Sequence, residues 1–160
     1  MNSSTIDGEP FNELISKYVL KIGENIVPGQ LDLLQDSGDV TEYIHSNAKI
    51  GVLVQFSGSV DSEVGHDIAM HVAAAAPRFV RPEEVESAEL EQEKQIIRKQ
   101  CLDEGKPEAI VEKITEGKIA KFYKEVCLLE QAFIKDTDKA VKDTLPEGVT
   151  ITAFKRYSLV

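Results

Sequence analysis

Residues 49–76, KIGVLVQFSGSVDSEVGHDIAMHVAAAA, constrain the fold more than any other stretch of the chain. They open with Ile50, Val52 and Val54 at alternate positions, and β-branched residues with this period predict a strand that buries one face. A short polar loop follows, and then apolar residues at helical spacing predict a helix that Pro77 ends. A strand, a loop and a helix therefore form the predicted centre of the fold.

The flanking segments complete a small sheet. Residues 39–45 alternate polar and apolar side chains just before the central strand, which predicts a β-hairpin, and residues 149–159 predict a further strand. Residues 11–22 carry apolar side chains three and four positions apart, the spacing of a short amphipathic helix. Residues 1–10 are small and polar, and we expect them to be disordered. Strands and helices are segregated along the chain, so we predict an α+β fold with a small antiparallel sheet packed against helices.

The second half of the chain predicts a helical hairpin inserted into this fold. Residues 83–103 are dense in Glu, Gln and Lys with a thin apolar stripe, residues 105–107 break the pattern, and residues 108–129 are helical again. Because the first helix has only a narrow apolar face, we expect the pair to protrude as an antiparallel coiled coil over residues 83–124. Its charged surface is either a solvated face or an interaction arm. Residues 137–145 predict a small capped helix.

The charge of the chain narrows the class of partner. A formal net charge of −10 repels nucleic acid and anionic membranes at long range. A protein partner is therefore favoured, and neither direct nucleic-acid binding nor membrane association is expected. No apolar run approaches the ~18–20 residues that span a bilayer, and the polar, acidic start of the chain does not resemble a secretory signal.

The chain contains residue types that can carry catalysis or bind metals, but their spacing predicts neither an active site nor a metal site. Cys101 and Cys127 are not in a CxxC arrangement and are interpreted as small buried apolar residues on helices. His66 and His71 are five positions apart, which separates them by about 140° around a helix and is poor for binding one metal together with His45. Neither a phosphate-binding lysine loop nor a glycine-rich dinucleotide loop is present. We therefore expect no enzyme, no cofactor and no metal site.

Five blocks, in order along the chain, resemble one known family. They are KIGENIV at 21–27, YIHSNAKIGVLV at 43–54, DIAMHVAA at 67–74, PRFV at 77–80 and EGKPEAIVEKITEGKIAKFYKEVCLLEQAFIKD at 104–136. Together they are similar to translation elongation factor Ts, the guanine-nucleotide exchange factor of elongation factor Tu.

The resemblance implies an architecture and a function. Residues 39–160 resemble the C-terminal core subdomain of the family, with its coiled coil inserted at 83–124, and residues 11–38 resemble the end of a preceding subdomain. The family has no catalytic groups of its own. It binds elongation factor Tu in GDP-bound and nucleotide-free forms and promotes GDP release, without a cofactor, in the bacterial cytoplasm or, as an alternative, in a plastid or mitochondrion.

The same resemblance suggests the residues that bind the partner. His71 matches a family histidine at the partner interface, and Met70 and Ala74 are neighbouring candidates. From the residues alone, His71 is instead a helix-surface or half-buried side chain bonded to Asp67. The family's Thr-Asp-Phe-Val wedge and N-terminal helical domain have no match, and residues 57–64 read SGSVDSEV without a phenylalanine. We therefore expect weak exchange by this chain alone. The alternative is a structural or homodimerisation module without exchange activity.

Overall fold

The structure, a computed structural model, describes residues 5–34, 38–46 and 48–159. These fall into two compact units, residues 1–33 and residues 34–160. Residues 1–4, which belong to the segment expected to be disordered, lie outside the described part of the chain.

The first unit begins with a tight hairpin. Strands β1 (Thr5–Ile6) and β2 (Glu9–Pro10) pair in antiparallel fashion, where the sequence predicts disorder. The two residues between the strands, Asp7 and Gly8, both have positive φ values, of 51° and 82°. An Asp-Gly pair in this conformation is the turn that matches the twist of a two-residue hairpin. The missed signal was therefore this dipeptide.

The helix of the first unit follows the hairpin directly. Helix α1 (Phe11–Ile22) has the bounds that the apolar spacing predicts. Gly23 ends it at φ 77°, and its N–H donates to the Val19 carbonyl oxygen at 2.8 Å. Glycine is favoured there because the left-handed conformation costs it no Cβ clash.

The second unit is built on a three-stranded antiparallel sheet. Its strands are β3 (Val40–Ile44), β4 (Ile50–Phe56) and β7 (Ile151–Ser158), in the order β3-β4-β7. Helix α2 (Ser62–Ala75) packs on one face of this sheet. The predicted α+β class, central strand and central helix are confirmed.

The core of the second unit lies between α2 and the sheet. Alternate β4 residues point into it and meet the inner face of α2, whose capping residue Asp61 accepts a hydrogen bond from the Glu63 N–H at 2.8 Å. Gly65 allows the helix to approach β3 closely, since a Cβ there would lie 2.5 Å from the Thr41 Oγ1. The buried apolar residues of this core are Val52, Val54, Phe56, Ile68, Ala69, Val72, Ala73, Val80, Leu128, Phe133, Val141 and Ile151.

Helices α3 (Ser87–Asp103) and α4 (Glu108–Val126) form the helical hairpin. They pack through one thin stripe of buried residues, and Arg98 bridges the helices by donating to Glu112 at 2.8 Å. The buried stripe consists of Ile97, Cys101, Val111 and Ile119. Two helices joined by a short turn are what the sequence predicts; coiled-coil geometry and protrusion stay predictions.

Short elements join the hairpin to the sheet. The predicted helix at 137–145 is wrong, because residues 136–140 form a strand that pairs with residues 132–133 and only a single 3₁₀ turn follows. Burial of Val141, whose N–H donates to the Gln131 carbonyl oxygen at 3.0 Å, outweighs the local helix signal. The short elements are the 3₁₀ turns Pro82–Glu84, Leu128–Glu130 and Val141–Thr144 and the strands β5 (Ala132–Phe133) and β6 (Asp136–Ala140).

Candidate functional site

His71, the first of the predicted partner-binding residues, lies inside the second unit. Only 2% of it is exposed. Its Nδ1 accepts a hydrogen bond from the Ile134 N–H at 3.2 Å, so the ring proton is placed on Nε2, which donates to Gln131 Oε1 at 3.0 Å. The ring also lies against Phe133, with 6.0 Å between the ring centroids. We expected His71 to face a partner, whereas the fold directs it to the interior.

Burial sets the protonation state of His71. Loss of hydration lowers its pKa, and the hydrogen bond to Gln131 opposes this shift only in part. The carboxylate one turn earlier, Asp67, does not bond to the ring but forms an ion pair with Lys135 at 2.7 Å. His71 is therefore a neutral imidazole with both nitrogens engaged by the segment that follows the helical hairpin.

Met70 and Ala74, the other two predicted residues, do reach the surface of α2. Met70 is half-buried and Ala74 is exposed, and the exposed His66 lies four positions before Met70. Residues four apart lie on one face of a helix. His66, Met70 and Ala74 thus form a continuous strip, which we call the α2 stripe.

The α2 stripe continues onto strand β3. The Tyr43 ring meets the His66 ring edge to face, with 5.4 Å between centroids. The Tyr43 hydroxyl also lies 3.0 Å from His45 Nδ1. We call the α2 stripe with Tyr43 and His45 the docking surface. Sequence reasoning missed this pairing, although the alternation of β3 already placed Tyr43 on the same sheet face as Val52.

The chemistry of the docking surface suits contact with a protein. Aromatic, imidazole and thioether side chains supply rigid or adaptable contact area with a few polar atoms, and such residues are enriched at protein interfaces. Within residues 5–34, 38–46 and 48–159, no three His, Cys, Asp or Glu side chains are grouped closely enough to hold a metal ion. The same described residues contain no helix with the length and apolar character needed to cross a bilayer.

The two thiols lie away from solvent, as the sequence predicts. Cys101 and Cys127 are both buried and both free. Burial, assisted by the nearby carboxylates of Glu130, Glu84 and Glu83, raises the pKa of Cys127 to about 11. Because the thiolate is the reactive form, Cys127 is a poor nucleophile at neutral pH.

Comparison with known proteins places the whole chain in one group. The model of a family described as elongation factor TS matches residues 1–160. The Elongation factor Ts of Deinococcus radiodurans is 43% identical over 155 residues, which cover 97% of this chain and 58% of that relative. The chain thus spans a little more than half the length of that relative.

Proposed function

Because this chain belongs to the elongation factor Ts family, we propose that it binds elongation factor Tu in the bacterial cytoplasm and favours release of GDP from it. The observation that carries the proposal is the docking surface, a strip of helix with exposed and half-buried side chains, extended by a half-buried aromatic residue of the neighbouring strand. Met70 and Ala74 are the proposed contact residues, and the neighbouring His66 and Tyr43 extend the contact. His71 supports this surface from below.

Exchange by this chain requires no acid, base or nucleophile. A factor that binds the nucleotide-free partner more tightly than the GDP-bound partner weakens GDP binding by the same ratio. A ratio of about 10⁴ needs about 5.5 kcal/mol of differential contact. The exposed and half-buried side chains of the docking surface offer binding area, while the differential part of the binding free energy needs a group that enters the nucleotide site.

We propose that such a group is not supplied by the loop after β4. The Asp39 carboxylate accepts hydrogen bonds from the Ser59 hydroxyl at 2.7 Å and from the Val60 N–H at 3.0 Å. The bond from Ser59 also lowers the pKa of Asp39, so the tie is present at neutral pH. The loop is held against β3 and has no aromatic side chain to insert. This supports weak exchange by the chain alone.

The test combines binding with nucleotide release. A fluorescent GDP analogue is released from elongation factor Tu with and without the chain, and calorimetry follows complex formation in parallel. Binding with little acceleration of release is the expected result. Release at the rate of a full-length factor would refute weak exchange, and absence of binding would refute the proposal as a whole.

Two matched variants locate the contact. Ala74→Arg places a bulky charge on the docking surface, and Ala120→Arg places the same side chain on α4, where Ala120 is also exposed. We expect Ala74→Arg to weaken binding by about tenfold or more, since a clash at an interface costs more than about 1.4 kcal/mol. A loss confined to Ala120→Arg would instead assign the contact to the helical hairpin.

A second candidate function, homodimerisation, is favoured by the sheet face opposite α2. Ile44, 68% exposed, and Tyr157 flank Gly51 across the three strands and line an apolar cleft with it. Val40 is exposed on the same face. Exposed apolar area of this kind marks interaction surfaces. Sedimentation of the chain and of Ile44→Lys decides between the candidates: a tight dimer that Ile44→Lys dissociates, and that does not bind elongation factor Tu, favours the structural module.

A further inference from the structure

A chain of buried and half-buried hydrogen bonds runs from the middle of α2 to the end of α4. The Gln131 Oε1 lies 3.0 Å from His71 Nε2, and the Nε2 of the same amide donates to the Glu125 carbonyl oxygen at 2.8 Å. The other ring nitrogen of His71 accepts from the Ile134 N–H. One imidazole therefore holds the segment after the helical hairpin at two points, and Gln131 passes the link on to α4.

The Glu125 carbonyl needs this partner because α4 ends one residue later. The last carbonyls of a helix have no partner within the helix. The Leu129 N–H, which a longer helix would direct to Glu125, instead donates to the Val80 carbonyl oxygen at 3.0 Å. The neighbouring Val126 carbonyl accepts from the backbone of residues 78 and 79. Gln131 is thus the side-chain cap of the α4 C-terminus.

His71 and the Glu125 carbonyl together determine which way the Gln131 amide points. An amide presents an acceptor on one side and donors on the other, and a 180° flip exchanges them. The Nε2–H of His71 requires the oxygen, so the NH₂ group faces Glu125. The Glu125 carbonyl oxygen, which can only accept, favours the same orientation. Without the imidazole, the amide loses one of these two contacts, and Ile134 loses its acceptor.

We propose that His71 is a positioning residue that fixes the end of α4, and with it the helical hairpin, on α2. The inference concerns the free chain and needs no partner protein, so it stands or fails independently of the proposed function. It replaces a surface role for this histidine by an internal one. It also assigns a role to Gln131, whose residue type alone predicts none: its side chain caps the C-terminus of α4.

The first test needs no variant. Long-range ¹H–¹⁵N correlation of the intact chain, with its histidines labelled, reports the tautomer of His71. The expected spectrum is that of a neutral ring protonated at Nε2. A ring protonated at Nδ1, or an even mixture of the two tautomers, would overturn the proposal because the Gln131 amide would then not be selected.

The second test separates the two ends of the hydrogen-bond chain by amide exchange. His71→Ala removes the acceptor of Ile134, and Gln131→Met removes the cap of Glu125 while leaving the bond between Ile134 and His71. We expect exchange at the Ile134 amide to rise about tenfold or more in His71→Ala only, the size expected for loss of one buried hydrogen bond. In Gln131→Met the rise is expected at the Cys127 amide, which directly follows α4 and donates to the Tyr123 carbonyl oxygen of its last turn.

Val54→Ala is the matched control for a loss of stability alone. Val54 is fully buried on β4 and takes no part in the chain of hydrogen bonds. This variant should raise exchange in β4 at least as much as near the end of α4. If His71→Ala and Gln131→Met give that same pattern, His71 is a packing residue only and the proposal is wrong. Should His71→Ala fail to fold, Gln131→Met and the tautomer of the unmodified chain still decide.

Discussion

The core between α2 and the sheet and the helical hairpin are stabilised in different ways. In the core, large side chains such as Phe56 and Ile68 are fully buried between a helix and a sheet. In the hairpin, the buried stripe has only four apolar side chains and begins with Ile97. Charged side chains surround it, and Arg98 joins Glu112 across the two helices in the open.

The difference implies unequal local stability. Apolar burial contributes roughly 25 cal/mol per Å² removed from water, whereas an exposed ion pair contributes about 0–1 kcal/mol. A region held by a thin stripe and surface charges opens locally at lower cost than a region with a wide core. We therefore expect the hairpin to open first, and its contact with the core to depend on the backbone bonds and the His71–Gln131 link at its base.

The largest expected effect comes from truncating one buried side chain to alanine in each region. Phe56→Ala leaves a cavity at the centre of the core and should lower the free energy of unfolding by about 3–5 kcal/mol. Ile119→Ala, in the stripe of the hairpin, should cost about 2 kcal/mol, the lower end for such a truncation, because an open site can collapse. Urea denaturation measures both values.

Amide exchange then shows where each loss is felt. Phe56→Ala should accelerate exchange in both regions, since the core supports the hairpin. Ile119→Ala should accelerate it in α3 and α4 while β4 stays protected. Equal loss of protection in both regions by Ile119→Ala would show that the two form one cooperative unit.

The next largest effect comes from replacing a glycine by alanine in each region. We expect the two substitutions to change the free energy of unfolding in opposite directions. Gly65→Ala should lower the free energy of unfolding by about 1–3 kcal/mol, because the new Cβ would meet the Thr41 side chain at 2.5 Å. Gly117→Ala, in α4, meets nothing within 4 Å and should raise the same quantity by about 0.5–1 kcal/mol through its higher helix propensity. Thermal and urea unfolding of the two variants give the comparison.

A double variant tests whether contact with Thr41 causes the loss of stability in Gly65→Ala. Thr41→Ala removes the atoms that the new Cβ would meet, so Gly65→Ala should cost less in its presence than in its absence. A cost that is unchanged by Thr41→Ala would mean that the close approach of α2 to β3 does not limit residue 65.

The sequence predicts the elements of both regions better than it predicts their contacts. Periodicity places α2, the β3–β4 hairpin and the two long helices, because each pattern is local and extends over several turns or alternations. It does not predict where His71 points. The two hydrogen-bond partners of that ring are 60 and 63 residues away, and no spacing within the helix reveals which face they cover.

The helix predicted over residues 137–145, where the structure has strand β6, is wrong for the same reason. Residues 137–145 have helix-capping chemistry, but their conformation is decided by pairing with β5 and by the burial of Val141. Tertiary context overrides local propensity in such short segments. The proposed docking surface draws on both sources: Met70 and Ala74 come from the resemblance and stay predictions, and Tyr43 enters through a contact between two elements.

At the junction of the two regions, where His71 bonds to Gln131 and Ile134, we expect a gradual dependence of stability on pH. Burial lowers the pKa of His71 below its ordinary value of 6.5, so the unfolded chain binds more protons than the folded chain in this range. Stability is therefore expected to fall as the pH decreases from about 7 through 6.5 towards the folded pKa. Urea denaturation at several pH values measures the slope.

A variant without the imidazole assigns that slope. His71→Met should be less stable at neutral pH, and its stability should change less between pH 7 and pH 5. The carboxylates with lowered pKa, Asp39, Glu91 and Asp136, lose their contributions only at more acidic pH. An unchanged slope in His71→Met would mean that another group titrates in this window.

The smallest expected effect concerns two ion pairs whose coupling free energies should respond differently to salt. Arg98 and Glu112, in the hairpin, have side chains that are 50% and 74% exposed, whereas the Asp67 partner of Lys135 has a side chain only 13% exposed. A double-mutant cycle on the hairpin pair should give a coupling of about 0.2–1 kcal/mol at low salt. At about 1 M salt, where the screening length is about 3 Å, that coupling should vanish while most of the Asp67–Lys135 coupling persists. Equal screening of the two pairs would mean that the hairpin and the core present the same dielectric environment to their charges, which their burial argues against.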